Sequence, residues 1–299
     1  MKKPNFFIVG APKCGTTSVA AWLAEHPQVF FCPIKEPHFF NFDYAERRFR
    51  SLKHYEALFS AATERHVAVG EASVRYLYSR TAVPAILRYS TDSRFIVMIR
   101  DPVDMACSLH GQAVFNGDEM EADFSRAWDL QSVRVYGGAV PSGCKDPQLL
   151  LYGSLCQVGR QIRRLLDIVS TERVLVVNLE FLKRDPRHEY LRILRFLDLE
   201  DDDRQAFPAR NTAKQLRFPR VWRSIRSTNR ALRAAGVPHV RTGLTEFLHR
   251  HNRIERARAP MSEALRNRLR EYFAADVALL EELTNLDLAD WKPLKQHDR

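Results

Sequence analysis

An apolar run, Phe6-Phe7-Ile8-Val9, leads into Gly10-Ala11-Pro12-Lys13-Cys14-Gly15-Thr16-Thr17-Ser18 and then into Val19-Ala20-Ala21-Trp22-Leu23. A strand, a glycine-bounded turn and a helix in direct succession constrain this chain more than any other feature. In that layout the N–H groups of the turn and of the helix start converge on one point and can hold a phosphate. The spacing Gly10-x4-Gly15 followed by two threonines is that of a nucleotide-triphosphate loop, G-x4-G-K-[ST], at every position but one. Thr16 stands where that loop carries its lysine, and the lysine sits inside the turn as Lys13. A triphosphate lying over the helix start therefore lacks its counter-charge. The loop reads as one for a nucleotide with a different anionic 5′ group, within reach of Lys13.

Further strand-like runs lie at 28–31, 67–71, 94–100 and 173–179, most of them separated by helical periodicity. That alternation predicts βαβ units around a parallel sheet. The first helix is expected over 16–25, ending near His26-Pro27. Asp101-Pro102 reads as an N-cap with proline at the first helical position, opening a helix over 102–115. Leu155, Val158, Ile162, Leu165 and Leu166 predict one amphipathic helix over 152–168; 186–197 and 262–283 predict two more. Residues 116–148, with Gly117, Gly137, Gly138, Pro141 and Gly143, read as a flexible segment over the site. A charged stretch, 200–222, reads as a loop able to close over a ligand. The expected fold class is α/β: a P-loop-like three-layer fold with a central parallel sheet of about five strands flanked by helices. At 299 residues it is expected as a single domain, with its core at 5–200.

An apolar share of 45% and a charged share of 27% suit a soluble globular chain. No run approaches the ~20 apolar residues of a membrane span. The first strand begins almost at once, leaving no room for a signal peptide, so a cytoplasmic location is expected. Cys14, Cys32, Cys107, Cys144 and Cys156 are scattered without a C-x2-C pair, which argues against a disulfide framework or a zinc site. With no metal-ligand spacing elsewhere, no metal is expected; His239, His249 and His251 read as solvated. Cys14 beside Lys13 has the setting of a reactive thiol, yet no His or Asn motif accompanies it, so it reads as lining the turn. The net charge of +10 is concentrated at 204–258, which holds thirteen arginines, Lys214 and only two acids, Glu246 and Glu255. Such a segment suits an anionic ligand or an acidic polymer. A multiply charged cofactor satisfies it, and no nucleic-acid motif is present, so no nucleic-acid partner is expected.

The motif at 10–18 resembles the 5′-phosphosulfate loop of the sulfotransferases that use 3′-phosphoadenosine 5′-phosphosulfate (PAPS), with heparan-type enzymes nearest in pattern. That family's second signature, a strand ending in Arg with a Ser eight positions later, is matched by Phe95-Ile96-Val97-Met98-Ile99-Arg100 and Ser108. The resemblance covers roughly residues 5 to 200. It implies sulfuryl transfer from PAPS, leaving the product PAP, to a hydroxyl of a small-molecule, glycan or natural-product acceptor. It also implies that Lys13, Cys14, Gly15, Thr16, Thr17 and Ser18 bind the 5′ end and that Arg100 and Ser108 bind the 3′-phosphate.

Lys35-Glu36-Pro37-His38-Phe39-Phe40 is similar to the heparan-type segment whose Glu takes the acceptor proton, which makes Glu36 the expected base. A carboxylate raised in pKa by a partly apolar pocket suits that task near neutral pH. His38 competes for the role, and a Glu36 that only orders its loop by pairing with Lys35 or Lys13 is a third reading. Gly70-Glu71-Ala72-Ser73 aligns with a Gly-Glu-Lys-Thr segment of the glucosaminyl 3-O branch, and Ala72 departs from its lysine. Ser73 and Arg75, with His38, are expected on the acceptor side. Lys214 and Arg217 fall where the family touches adenine and the 3′-phosphate. Arg100-Asp101 is alternatively a structural ion pair, and Tyr152 lines either the site or the core. Two other functions remain open from sequence: a P-loop kinase, and a binder of acidic polymers through 204–258.

Overall fold

The computed structural model describes residues 2–45, 47–210 and 261–293, together with the backbone of two short strands at 214–216 and 253–255. Strands β1 (Phe6–Gly10), β2 (Val29–Phe31), β3 (Ala68–Ala72), β4 (Arg94–Ile99) and β5 (Val174–Asn178) form one sheet. Each lies within one residue, at either end, of its sequence expectation. The order is β2-β3-β1-β4-β5 and every pairing is parallel. Central strand β1 has neighbours on both edges and layers on both faces, so Phe6, Phe7, Ile8 and Val9 are all fully buried. That is why its sequence is continuously apolar rather than alternating.

The connection after β1 runs to β2 on one side, and the connection after β3 crosses β1 to reach β4 on the other. Where the winding reverses, the crossovers diverge and leave a crevice beyond the carboxyl ends of the strands. Helices α1 (Thr16–Ala24), α2 (Leu52–Glu56), α3 (Ala82–Tyr89) and α4 (Pro102–Asn116) follow β1, β2, β3 and β4 in turn. Asp101 caps α4, its Oδ1 accepting from the N–H of Val103 at 2.8 Å and of Asp104 at 3.4 Å. Beyond the sheet's first half come α5 (Phe124–Asp129), α6 (Gln131–Arg134), α7 (Tyr152–Cys156) and α8 (Val158–Leu166). After β5 follow α9 (Leu179–Arg184), α10 (Pro186–Phe196) and the long α11 (Glu263–Thr284), which packs on α8 and α4. Residues 214–216 (β6) and 253–255 (β7) pair antiparallel. Among the described residues no helix is long and apolar enough to cross a membrane.

Two expectations are corrected here. The helix predicted over 152–168 is two helices, because Asp276 of α11 accepts the N–H groups of Gly159 and Arg160, each at 2.9 Å, and so caps a second start. Residues 116–148 are not an irregular loop throughout. They carry α5 and α6, and Arg134 Nη1 and Nη2 grip the Glu119 carboxylate at 2.6 and 2.8 Å with both side chains buried.

Candidate active site

The turn that follows β1 must reverse direction within a few residues, and Gly15 does so at φ +83°. A side chain there would also push the tip of Leu179, 2.7 Å away, but it is the left-handed φ that favours glycine. Lys13 is likewise left-handed, at φ +67°, and its Nζ reaches Gln112 Oε1 at 3.1 Å. Lys13, Gly15, Thr16, Thr17 and Ser18 line a cavity of about 860 Å³ at the switch point of the sheet. Ser18 also ties the far side of the cavity, its Oγ accepting the N–H of Arg210 at 2.9 Å. Cys14 is the exception in the loop. Its side chain is fully buried, faces Met105 and does not line the cavity, and burial pushes its thiol far above the usual range. The structure therefore leaves Cys14 only its backbone for a ligand, and the nucleophile reading falls.

Arg100 leaves the end of β4, and Ser108 lies two turns into α4; both line the same cavity. Arg100 Nη2 is 3.5 Å from Asp104 Oδ2, one helical turn on, rather than paired to Asp101, which is occupied as the α4 cap. Asp104 is in turn held by Arg266 of α11 at 3.2 Å. Gln112 stands four residues after Ser108 on the same face of α4, a spacing that could have revealed it in the sequence.

Glu36 also faces the cavity, while His38 and Ser73 do not. The His38 ring is buried behind Glu36, with Nε2 3.5 Å from Glu36 Oε2 and its edge against Tyr76. Burial lowers the His38 pKa, only partly offset by Glu36, so the ring is neutral at neutral pH. Burial alone would raise the Glu36 carboxyl, but His38 and the Lys35 ammonium, 2.8 Å away, hold it down to about 2. The expected rise is thus reversed, because the His38 ring and the adjacent Lys35 cation both reach the same carboxylate. Ser73 belongs to the core. It is fully buried and bonds Glu71 at 2.6 Å, which corrects its assignment to the acceptor side. Arg75 does line the cavity, over the Tyr44 ring at 5.6 Å. Tyr152 is a core residue, fully buried, donating to Glu119 at 2.9 Å.

Sequence reasoning passed over several lining residues: Tyr44, Tyr78, Asp118, Trp22 and Phe207. Phe207 stands edge-on to Trp22 at 5.1 Å, and Trp22 Nε1 donates to the Pro208 carbonyl at 3.2 Å, so residues 200–210 already lie strapped over α1. Arg204 pairs with Glu25 at 2.7 Å. Arg217, the histidines at 239, 249 and 251 and most of the basic segment lie outside the described residues, as does the Lys214 side chain. Among the described residues no cluster has the makings of a metal site.

The donor set fits a nucleotide with two anionic ends. Lys13 and the hydroxyls of the loop line the same cavity as Arg100 and Ser108, and Arg100 Nη1 lies 3.5 Å from the Lys13 carbonyl. Among the described residues the buried Arg100 Nε has no hydrogen-bond partner, as expected of a guanidinium that completes its bonding on a ligand.

Residues 3–278 match the family described as the sulfotransferase domain. Among curated proteins, the membrane-associated sulfotransferase kil1 of Dictyostelium discoideum is 31% identical over 36% of this chain and 22% of its own. The heparan sulfate glucosamine 3-O-sulfotransferase 3A1 of Mus musculus is 27% identical over 66% of this chain and 46% of its own. The chain thus spans less than half the length of these two relatives. A crystal structure of a sulfotransferase from Alicyclobacillus acidocaldarius superposes over 97% of this chain and 99% of that one, at 27% identity and a TM-score of 0.73. A mouse sulfotransferase solved with PAP shares the fold at 12% identity and a TM-score of 0.50. Read with the displaced lysine of the loop, these likenesses set the kinase reading aside, and the chain belongs to the sulfotransferase domain family.

Proposed function

We propose that this protein transfers a sulfuryl group from PAPS to a hydroxyl of a carbohydrate or natural-product acceptor, with Lys13 and Glu36 as the reacting-centre residues. The observation that carries the reading is the meeting of loop, Arg100, Ser108 and Glu36 around one cavity at the switch point. PAPS supplies an activated sulfuryl group on a phosphate leaving group. Lys13 and the N–H groups of the loop offset the negative charge that gathers on the phosphate side, and the fixed start of α1 adds its dipole. Thr16, Thr17 and Ser18 supply hydroxyl and N–H donors there. Arg100 and Ser108 hold the 3′-phosphate, whose charge does not change during transfer, so they contribute binding rather than rate. Glu36, ionised throughout the neutral range, accepts the proton of the acceptor hydroxyl. Arg75 and Tyr44 form the acceptor wall, and Lys214 and Arg217 are proposed nearer the adenine end.

Titration calorimetry with PAP, AMP and ATP tests the reading. PAP is expected to bind at least tenfold tighter than AMP, because only PAP presents a 3′-phosphate to Arg100 and Ser108. Equal or tighter binding of ATP removes it.

A further inference from the structure

Behind the cavity lies a polar cluster that the proposed reaction leaves unused. Glu71, next to last in β3, is fully buried. Its Oε1 accepts from the hydroxyls of Tyr55 and Tyr76, each at 2.9 Å, and its Oε2 accepts from Ser73 Oγ at 2.6 Å. When ionised, the Glu71 carboxylate only accepts, so each hydroxyl then commits its single proton to it and presents lone pairs elsewhere. Two of the three use them on one strand of backbone. Ser73 Oγ accepts the N–H of His38 at 3.1 Å, and the Tyr76 hydroxyl accepts those of Phe39 at 2.9 Å and Phe40 at 3.3 Å. Tyr55 makes no such link among the hydrogen bonds of the described residues.

The supported backbone is strained. Glu36 stands at φ +56° and His38 at φ +48°, a region that disfavours side chains other than glycine's. Such a conformation persists only where the surroundings over-determine it. Here the Glu36 N–H is held by the Ala72 carbonyl at 3.0 Å, one residue beyond Glu71, and the next three donors are Ser73's and Tyr76's. Beginning at one buried carboxylate, the chain of bonds ends at the segment that aims Glu36 into the cavity.

We propose that Glu71 is a positioning residue: by fixing the proton direction of Ser73 and Tyr76 it makes both hydroxyls acceptors for residues 38–40 and so locks the Glu36 turn. The inference rests on the reading of Glu36 as base for its catalytic meaning, but its test does not. Amide hydrogen exchange of the full chain, followed by mass spectrometry of peptides spanning 36–40, compares Tyr76→Phe, Ser73→Ala and Tyr55→Phe. Each removes one bond to Glu71, but only the first two also release backbone N–H groups. Tyr76→Phe and Ser73→Ala are expected to speed exchange in that peptide about tenfold, the loss of roughly one net hydrogen bond. Tyr55→Phe is expected to leave exchange there at the wild-type rate while lowering Tm by a similar amount. Glu71→Gln, which adds a donor and forces one hydroxyl to turn, is expected to speed exchange as well. Equal exchange in the Tyr55 and Tyr76 variants, or wild-type exchange in all, overturns the proposal. Ser73→Ala carries the test alone if a tyrosine variant does not fold. A Glu36→Gln enzyme with full turnover would remove the base reading and leave the exchange result, and the lock it measures, standing.

Discussion

A base held at a pKa of about 2 is charged throughout the neutral range, so Glu36 contributes by being available rather than by being strong. Glu36→Gln is expected to lose roughly 10²–10⁴ in turnover with PAP affinity within about twofold of wild type, by calorimetry beside a labelled-sulfate assay. Arg100→Ala is expected to do the reverse, raising the Kd for PAP but not for AMP. The pH profile follows from the sign of the shift. Because the Glu36 pKa is depressed, protonation removes the base only as pH falls toward 2, and no acid limb from this group is expected above about pH 4. Lys35→Ala removes the cation at 2.8 Å and should move that limb upward, toward ordinary carboxylate values. Loop residues were legible in the sequence because a phosphate cradle fixes both spacing and residue type. Glu36 was legible as a residue, but not the sense of its pKa shift, which depends on how near His38 and Lys35 fold back to it. Ser73 was misread because strand alternation cannot say that a polar group is answering a buried carboxylate two residues away.

At the scale of elements, all five strands could be read to within a residue because each is an apolar run closed by polar or helical sequence. What escaped was fixed by partners far along the chain. Asp276 ends one helix and starts another at 159–160, more than a hundred residues upstream, and nothing local marks the break. Glycines made 116–148 look loose, whereas Glu119 and Arg134, fifteen residues apart, close it as a unit with the Tyr152 hydroxyl as a third partner. Burial works against the Glu119 charge, but Arg134, the nearby backbone donor of Glu121 and Tyr152 together hold its pKa below the usual value. Arg134→Met therefore strands a buried carboxylate and is expected to cost about 3–5 kcal/mol in urea unfolding. Replacing both partners, Glu119→Gln with Arg134→Met, should cost less than the single change. A single change within about 0.5 kcal/mol of wild type would show that the pair does not close the segment.

For the molecule as a whole, Glu71 sets two requirements against each other. Burial, with the Glu36 charge adding to it, raises its pKa to about 7 even against three hydroxyl donors, the carboxylate being fully buried. In the unfolded chain the same group titrates near 4.5. The native state therefore keeps a proton that the unfolded state has lost, and the stability this group contributes is full below pH 4.5 and disappears as pH rises through 7. At about 1.4 kcal/mol per unit, the span amounts to about 3 kcal/mol. Asp101, Glu180 and Asp276 are also raised by burial and add slopes of the same sign, while Glu36, Asp43 and Glu119 are lowered and oppose them. The total pH dependence is thus uninformative, and the difference between wild type and Glu71→Gln isolates this one group. Gln cannot ionise, so Glu71→Gln is expected to lose less stability than wild type between pH 4.5 and 8, narrowing the gap or overtaking wild type at the alkaline end. The ionised form, however, is the one that makes acceptors of Ser73 and Tyr76. The same substitution should therefore loosen residues 36–40 at pH 8, where it relieves the fold of a buried charge. Urea unfolding of both proteins at several pH values, with exchange at 36–40 measured alongside, checks the pair of effects. Parallel stability curves would mean that Glu71 does not titrate in this range.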